Sequence, residues 1–457
     1  MTNKLRQYDE YRKSDLLWLD RIPRHWKLKK IKHLFKERTE KGYPDEPLLA
    51  ATQAKGVVPK SMYENRTVTA EKDLHLLKLV EVGDFVISLR SFQGGIEYAY
   101  YRGIISPAYT IMVPNEAVNR GYFRYLAKSQ PFLELLGFCV TGIREGQNID
   151  YGILKNSYMP VPPLEEQEQI ARYLDDRVSR INKFIGTKKK QIELLKELKN
   201  SVIYEVVTKG LEPTPKMKSS GVEGLGNIPE EWDIRYLFQI TSQQTISNKE
   251  IQNQNLLSLS YGRIIQKDID TTEGLLPSTF DTYQVVSDGN IILRLTDLQN
   301  DQKSLRVGLV TQTGIITSAY TCLSVKDYVL PEYLYLLLHS YDVKKVFYGM
   351  GSGVRQSMSY KDIKRLVVII PPLKQQKRIV QFCNRVISNV DLKVASIEKK
   401  ISLLSEFRTA HISQVVTGKI DVRGIETEEP VQFEEDLDEQ YEGELESLEI
   451  EEGWEEE

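Results

Sequence analysis

Two kinds of hydrophobic pattern alternate along the chain. Short apolar runs bounded by Gly, Tyr and Thr predict strands, as in GDFVISLR, AYTIMV, NIILRL and AYTCLSV. Between these runs, NRGYFRYLAKSQPFLELL and PEYLYLLLHSYDVKKVF have the spacing of amphipathic helices. A much longer helical pattern follows each of two Pro-Pro pairs, where the missing N–H and the fixed φ of proline suit a helix start. The pattern predicts mixed α/β domains, each followed by one long helix.

This arrangement occurs twice, at an offset that varies only between 206 and 211 residues. The stretch IPRHWKLKKI aligns with IPEEWDIRYL, which places Trp26 on Trp232. GIISPAYTIMV then aligns with GIITSAYTCLS, GYFRYLAKS with EYLYLLLHS, and VPPLEEQEQI with IPPLKQQKRI. Because the order and spacing persist over the whole length, the sequence indicates one unit of about 200 residues that is duplicated.

Apolar residues of the two long helices recur at steps of three and four, which is the pattern of a heptad seam. The seam positions are Leu174, Val178, Ile181, Ile185, Ile192 and Leu195 in the first helix and Ile387, Val390, Val394, Ile397, Ile401 and Leu404 in the second. Such a narrow seam favours one partner helix, and the other copy is the nearest candidate. The two would form a coiled coil roughly 60–70 Å long at about 1.5 Å per residue. The alternative is that each helix packs separately on its own domain.

Composition shifts divide the chain further. A Pro-, Gly- and Ser-rich segment separates the copies, and the last 32 residues contain few apolar side chains and uniform negative charge, which is typical of a disordered extension. The predicted segments are a first α/β domain (1–161), a first long helix (162–210), a linker (211–227), a second α/β domain (228–370), a second long helix (371–420) and an acidic tail (426–457).

The 457 residues and 41% hydrophobic content can form two or three cored domains. The three cysteines and five histidines show no metal-ligand or disulfide spacing, so neither a structural zinc nor a disulfide framework is expected. The N-terminal stretch is polar, and no apolar run approaches the roughly twenty residues of a membrane span. We expect a soluble, cytoplasmic protein that does not enter a membrane.

The formal net charge of −3 hides an asymmetry. The acidic tail has 17 acidic residues and no Lys or Arg, so residues 1–425 hold 61 basic and 47 acidic side chains, a formal charge of +14. A basic body gains by displacing counterions from phosphates, which favours a polyanion-binding protein. The alternative is an ordinary solvated surface.

Catalytic motifs are absent from the sequence. Both Pro-Pro pairs are followed by Leu, so the [DNS]PP[YF] motif of amino-methyltransferases does not occur. The phosphate loop GxxxxGK[ST] and the nucleophile motif GxSxG are also missing. The chain is therefore predicted to bind and not to catalyse.

The order IPxxW, an α/β domain, PPLxEQxxIxxxLD and a long helix ending VVTKG, with the whole repeated more loosely, resembles the specificity subunit of type I restriction-modification systems. The resemblance extends over residues 10–425. It implies an α+β fold in which two similar target-recognition domains are separated by two long helices that form an antiparallel coiled coil, with a pseudo-two-fold internal repeat. Each domain would read one half of a bipartite, asymmetric double-stranded DNA site, and the coiled coil would set the gap.

The same resemblance implies a non-catalytic subunit of a larger complex. Two methyltransferase subunits would dock on the coiled coil and methylate adenine with S-adenosylmethionine. Restriction and translocation subunits would use ATP and Mg for cleavage. Two departures are Lys374, which stands where the first copy has Glu165, and the acidic tail. The tail is either a DNA-mimicking or partner-docking arm, or a solvating extension.

Polar residues at predicted strand ends and in Gly-containing loops before the helices are the candidates for DNA contact. Arg pairs well with guanine and Gln with adenine, and both also reach phosphates. The candidates are Arg90, Ser91, Gln93, Arg144, Gln147, Tyr261, Arg263, Arg294, Thr296, Arg355 and Gln356. Each has the alternative of an ordinary surface or structural residue, and Gln147 and Gln356 recur in both copies, as structural residues do.

Two other functions remain open from the residues alone. One is a non-enzymatic coiled-coil scaffold with duplicated interaction domains and no DNA role. The other is an independent methyltransferase or nuclease, which the missing motifs oppose.

Overall fold

A computed structural model of the protein describes residues 6–62, 73–88, 91–141, 148–221, 225–269, 279–296, 305–349 and 358–427. The chain divides into two compact units. The first unit comprises residues 1–188 and 399–445, and the second comprises residues 189–398 and 446–457. Each unit therefore contains one mixed α/β region and a segment of each long helix.

The elements of the first α/β region are short strands with small helices between them. Its strands are β1 (Tyr11–Leu16), β2 (Leu19–Pro23), β3 (Lys27–Lys30), β4 (Phe35–Arg38), β5 (Leu49–Thr52), β6 (Gly56–Pro59), β7 (Lys78–Val80), β8 (Phe85–Ile87), β9 (Glu97–Tyr98), β10 (Gly103–Ile105), β11 (Thr110–Pro114), β12 (Val140–Thr141), β13 (Asn148–Ile149) and β14 (Tyr158–Val161). Its helices are α1 (Ser91–Gly94), α2 (Arg120–Leu126), α3 (Gln130–Phe138) and α4 (Tyr151–Asn156). The first long helix, α5 (Leu164–Lys209), follows directly.

The second copy has the same kinds of element. Its strands are β15 (Met217–Ser219), β16 (Asn227–Pro229), β17 (Asp233–Tyr236), β18 (Thr241–Gln244), β19 (Ile246–Ser247), β20 (Leu257–Ser260), β21 (Arg263–Gln266), β22 (Gln284–Val286), β23 (Ile291–Leu293), β24 (Val307–Leu309), β25 (Gly314–Ile316), β26 (Thr321–Val325) and β27 (Val367–Ile370). Its helices are α6 (Leu237–Ile240), α7 (Asn248–Ile251), α8 (Pro331–Val343) and α9 (Tyr360–Ile363), and the second long helix is α10 (Leu373–Val416).

Sheet topology confirms the duplication that the sequence predicts. A four-stranded antiparallel sheet has the order β4-β11-β8-β9 in the first unit and β18-β26-β23-β24 in the second. The strand before each Pro-Pro pair is also matched, because β14 pairs with β3 and β27 pairs with β17. The hairpin of β1 and β2 corresponds to that of β15 and β16, and β15 lies inside the segment that the sequence predicts as a linker.

Each hydrophobic core joins its sheet to the ends of both long helices. In the first unit, Trp26, Phe85 and Phe123 share a cluster with Ile170 of α5 and Val415 of α10. The cluster of the second unit joins Trp232, Tyr333 and Leu337 to Val207 of α5 and Ile379 of α10. These apolar side chains leave water on folding, so the hydrophobic effect holds each α/β region against the helices.

The two long helices are antiparallel within each unit. In the first, the Tyr173 hydroxyl lies 3.0 Å from Nε2 of His411, and further along α5 Asn182 accepts a hydrogen bond from Arg408. In the second, Nζ of Lys199 lies 2.8 Å from Oδ1 of Asp391. Just after the end of α5, Glu212 pairs with Arg378 of α10 at 2.9 Å. Because residue numbers rise on one helix as they fall on the other, these segments pair as an antiparallel coiled coil.

The predicted seam residues lie on the inner side of the helices. Leu174, Ile185 and Ile192 of α5 are buried, and the other seam residues of α5 are half-buried. On α10, Val390, Val394 and Ile397 are buried, and the remainder are half-buried. Other apolar side chains of the helices point to solvent: Phe184, Leu194, Leu198, Leu392, Leu403 and Phe407. Among the described helices, none has a stretch long and apolar enough to cross a membrane.

Candidate nucleic-acid interface

A buried glutamine at the start of each long helix holds the α/β region in place. Gln167 Oε1 accepts a hydrogen bond from the backbone N–H of Asn119 at 2.8 Å. Its Nε2 donates to the carbonyls of Ala117 (3.0 Å) and Pro162 (2.9 Å). Because all three partners are backbone groups, the amide fixes the chain before α2 and before α5 relative to each other.

Gln376 makes the same three bonds in the second unit. Its Oε1 accepts from the N–H of Leu330 at 2.8 Å, and its Nε2 donates to the carbonyls of Tyr328 (3.3 Å) and Pro371 (2.8 Å). Both glutamines are almost fully buried, so each bond is made away from competing water.

A buried tyrosine attaches each α/β region to the end of the other long helix. The Tyr122 hydroxyl donates to the carbonyl of Val416 at 3.1 Å in the first unit. The Tyr333 hydroxyl lies 3.1 Å from the carbonyl of Val207 in the second. Burial raises the pKa of both tyrosines, so the hydroxyl keeps the proton that it donates. Each α/β region is thus bonded to the start of one helix and the end of the other.

The tryptophan of the IPxxW motif covers the same helix ends. After α5, Gly210 has φ +84°, and a Cβ there would lie 3.2 Å from the Trp232 ring. After α10, Gly418 has φ +75°, and a Cβ would lie 3.0 Å from the Trp26 ring and closer to Pro23. A side chain at either position would be strained by φ and would meet the indole or its neighbour, so glycine is needed at both.

The residue before each glutamine differs between the copies. Glu166 accepts from the Trp26 indole at 3.0 Å and from the Tyr8 hydroxyl at 2.6 Å, and it lies 2.7 Å from Nε2 of His25. In the second unit Gln375 accepts from the Trp232 indole at 2.8 Å instead. Burial raises the pKa of Tyr8, and its hydrogen bond to the Glu166 carboxylate raises it further.

A buried glutamate of the first copy pairs with a lysine that the second copy replaces by histidine. Glu97, on β9, accepts from Lys128 Nζ at 2.7 Å. Burial outweighs this ion pair and raises the pKa of Glu97 to about 7. In the aligned repeat His339 stands where the first copy has Lys128. Burial, assisted by Lys199, lowers the pKa of His339 to about 4, and among the described residues its Nδ1 has no hydrogen-bond partner.

Two of the predicted DNA contacts of the first unit lie on α1. Ser91 is buried, and its hydroxyl accepts from the Ser88 N–H at 2.8 Å, so in this conformation the side chain supports the turn. Gln93 is exposed. Helix α1 contacts β13, which follows the segment 142–147. Gln93 and Ser91 therefore lie on a helix that packs beside the strand Asn148–Ile149.

In the second unit, Arg306 holds the strand end after β23. Its fully buried guanidinium donates to the carbonyl of Thr296 at 2.7 Å. The N–H of Met358 donates to the carbonyl of Leu295 at 2.7 Å, which brings the residue after segment 350–357 beside this strand end. Arg294 and Thr296 are half-buried.

The turn after β20 supplies the last described candidates. Tyr261 is 61% exposed and has φ +43°. The Arg263 guanidinium lies 3.2 Å from Asp391 of α10 and is largely exposed. The remaining predicted contacts lie outside the described residues: Arg90, Arg144, Gln147, Arg355 and Gln356.

Sequence reasoning missed three structural features of these surfaces. The tyrosine anchors could have been found, because Tyr122 and Tyr333 recur at equal positions of the repeat. Neither the buried Arg306 nor the inward turn of Ser91 has a sequence signal, since both depend on tertiary packing. Within the described residues, no group of three or more His, Cys, Asp or Glu side chains could hold a metal ion.

Comparison with known proteins identifies the family. A family model described as type I restriction modification DNA specificity domain matches residues 23–194 and 307–402, more than half of the chain. The chain belongs to this family. It is a DNA sequence-recognition subunit without catalytic activity of its own, and the catalytic activities and their cofactors reside in the methyltransferase and restriction subunits of such systems.

Similar proteins cover most of this specificity subunit. A putative type I restriction enzyme MjaX specificity subunit from Methanocaldococcus jannaschii is 23% identical over 88% of this chain and 95% of its own length. The EcoBI specificity subunit from Escherichia coli is 25% identical over 54% of each chain. A chain in a solved structure concerned with complex assembly and conformational transition of the type I R-M system has a TM-score of 0.63 at 14% identity. The match covers 87% of this specificity subunit and 99% of the solved chain, and it supports the fold.

Proposed function

We propose that each α/β region reads one half of a bipartite, asymmetric DNA site and that the paired helices set the number of base pairs between the halves. The proposal rests on one observation: both α/β regions are hydrogen-bonded to the long helices in the same way. Gln167 and Gln376 bond at the helix starts, and Tyr122 and Tyr333 bond at the helix ends. Two readers attached in the same way to one rigid element would meet DNA at a fixed separation, as half-site spacing follows protein symmetry in other DNA-binding proteins.

Recognition is assigned to residues 1–161 and 228–370, with residues 211–227 as the connection between copies. The helical segments 162–210 and 371–420 are assigned to spacing and to the docking of two methyltransferase subunits. Restriction subunits would join that assembly. S-adenosylmethionine would be bound by the methyltransferase subunits, and ATP and Mg by the restriction subunits.

The reading surface of each region is assigned to a strand end and the loop before the long helix. In the first, these contribute Arg90, Gln93, Arg144 and Gln147. In the second, they contribute Arg294, Thr296, Arg355 and Gln356, to which the turn after β20 adds Tyr261 and Arg263. Arg and Gln make bidentate contacts with guanine and adenine in the major groove, each worth about 1–3 kcal/mol of discrimination. The proximity of α1 to β13 and of Leu295 to Met358 supports these groupings.

A pair of double variants tests the assignment. Arg144→Ala with Gln147→Ala, and Arg355→Ala with Gln356→Ala, would each be assembled with methyltransferase subunits. Methylated adenines would then be mapped. We expect each variant to relax sequence choice in one half-site only, a different half for each, with about a 5- to 150-fold loss of affinity for the correct base. Arg385→Ala with Gln381→Ala, two exposed residues of α10, serves as an Arg/Gln control.

Two results would contradict the assignment. One is relaxation of the same half-site by both variants, and the other is unchanged sequence choice in both. Co-purification of the methyltransferase subunits with every variant shows that a change in methylation does not come from failed assembly. Absence of binding to any bipartite DNA by the wild-type complex would instead favour the scaffold function.

A further inference from the structure

We propose that the acidic tail, residues 426–457, docks on a lysine-rich surface of the first unit. This surface, the lysine face, is formed by Lys29, Lys30 and Lys32, which line one depression with Tyr158, together with Lys27 on β3 and Lys36 on β4. The proposed occupant is a segment of the same chain, most of which lies outside the described residues.

The lysine face is exposed and lacks acidic partners within the described part of the chain. Lys27, Lys29, Lys32 and Lys36 are exposed, and Lys30 is half-buried. Lys30 Nζ lies 5.4 Å from the centre of the Tyr158 ring, and Lys32 donates to the side-chain oxygen of Asn156 at 3.0 Å. These contacts orient two ammonium groups but neutralise neither. Five like charges within ten residues repel each other, so a polyanion would be stabilised there.

The aligned, described stretch of the second copy lacks these lysines. The aligned stretch reads WDIRYLFQ where the first copy reads WKLKKIKH. Asp233 replaces Lys27 and pairs with Arg235 at 2.9 Å. Tyr236 and Phe238, in place of Lys30 and Lys32, stack with ring centres 5.9 Å apart. The fold of the repeat therefore does not require the lysines, and their charge needs another explanation.

The acidic tail begins close to the lysine face. The Gln169 side chain donates to the carbonyl of Ile425 at 2.7 Å, which fixes the last described residues against α5. The Arg423 guanidinium lies 4.9 Å from the centre of the Tyr8 ring. That ring is 5.9 Å from the Trp26 ring, and Trp26 is the residue before Lys27. Residues 428–457 extend at most about 100 Å from this point, which is ample reach.

Tethering makes a weak attraction sufficient. Exposed ion pairs contribute only about 0–1 kcal/mol each and are screened by salt. A tail that starts beside its site, however, has an effective concentration on the order of millimolar. With 17 acidic and no basic residues, the tail can neutralise the lysine face in many registers. We therefore expect the ion pairs between tail and lysine face to exchange among several registers, and the docking to weaken strongly as salt rises.

Docking has a consequence that rests on the proposed function. Residues that attract carboxylates also attract DNA phosphates, so the tail would compete with non-specific DNA at the lysine face. Specific sites, where base contacts add affinity, would displace the tail more readily than random sequence.

Zero-length cross-linking of the full chain without DNA tests the docking. A carbodiimide joins carboxylates to amines in direct contact, and mass spectrometry locates the joined residues. We expect tail carboxylates to be joined mainly to the lysine face, with about a tenfold loss of those products between 50 mM and 500 mM salt. The triple variant Lys29→Gln, Lys30→Gln, Lys32→Gln should lose them. The charge-matched control Lys188→Gln, Lys189→Gln, Lys190→Gln should retain them.

Acylation rates of the lysines give a second readout in the full chain. Replacing the acidic residues of the tail by Gln and Asn should raise the reactivity of the lysine face several-fold and leave Lys188–Lys190 unchanged. Equal cross-linking at both lysine groups, or no change in acylation, would overturn the docking. Protection of the lysine face only after DNA is added would assign that surface to DNA instead. If acylation rises but non-specific DNA affinity stays constant, the competition is overturned while the docking stands.

Discussion

Gln167 and Gln376 are adjacent to residues that differ between the copies, yet each makes the same three backbone hydrogen bonds. In the sequence the two glutamines align at the start of each long helix, where an exposed glutamine is common. The sequence alone therefore does not predict that they are buried. Only tertiary structure reveals that their amides join two backbone segments about fifty residues apart. Their repetition is thus explained by attachment of the α/β regions.

Truncating either amide should loosen one α/β region from its helix start. Gln167→Ala and Gln376→Ala leave buried backbone groups without partners, which costs about 1–3 kcal/mol for each unsatisfied group. We expect a drop of several kcal/mol in the unfolding free energy, measured by chemical denaturation, with hydrogen exchange showing which unit opens. The exposed neighbour Glu168→Ala is the control. An unchanged unfolding free energy for both glutamine variants would contradict the anchoring role.

Glu97 and His339 predict opposite pH dependences for the two units. The folded pKa of Glu97, about 7, lies above its ordinary value, so the folded first unit binds the proton more tightly and loses stability as pH rises from about 4.5 to 7. The folded pKa of His339, about 4, lies below its ordinary value, so the second unit loses stability as pH falls from 6.5 towards 4.

Hydrogen exchange at several pH values separates these two effects. Glu97→Gln should remove the loss of stability of the first unit above pH 4.5, and His339→Gln should remove the loss of the second unit below pH 6.5. Each variant should leave the pH dependence of the other unit unchanged. Equal pH slopes in wild type and variants would show that these groups do not titrate as described.

At the scale of elements, the repeat predicted more than any single motif. Strand runs such as AYTIMV and AYTCLSV occupy the centres of matching sheets as β11 and β26. The Pro-Pro pairs precede both long helices, and VVTKG and VVTGK end beside the two tryptophans. Hydrophobic periodicity alone did not predict the helix break after α2, where the Ser129 hydroxyl donates to the carbonyl of Leu126 and Pro131 stands in the first turn of α3.

Site residues were harder to predict than elements. Strand-end polarity led to Ser91, whose hydroxyl faces inward, and to Arg263, which is paired with a helix aspartate. A polar residue at a predicted strand end can make its hydrogen bonds or ion pairs within the protein, and the sequence does not show which residues do so. Within the described residues, α1 contacts β13, and the N–H of Met358 donates to the carbonyl of Leu295; both contacts depend on tertiary packing that strand-end polarity does not show.

Lengthening the long helices should lengthen the DNA gap. Seven residues inserted in each, between Lys188 and Gln191 and between Glu398 and Ile401, preserve the heptad pattern and add about 10 Å. At about 3.4 Å per base pair, the unread segment should grow by about three base pairs. Methylation mapping reads the gap directly, and the same seven residues placed in the acidic tail are the control. An unchanged gap would refute the spacer role.

At the scale of the whole molecule, charge is separated along the chain. Residues 1–425 have a formal charge of +14, and the acidic tail reverses the sign of the total. Family membership connects the basic body with DNA, and the lysine face gives part of that charge a location in the first unit. The net charge of −3 for the full chain therefore describes neither the basic residues 1–425 nor the acidic tail.

The measurement that tests the central claim most directly is a genome-wide map of methylated adenines in cells that contain this subunit with its methyltransferase partner. The account predicts two short, different half-sites separated by a gap of constant length. Exchanging residues 1–161 for those of a relative should change one half-site and keep both the other half-site and the gap. A single contiguous site, or a change in both halves after this exchange, would contradict the claim.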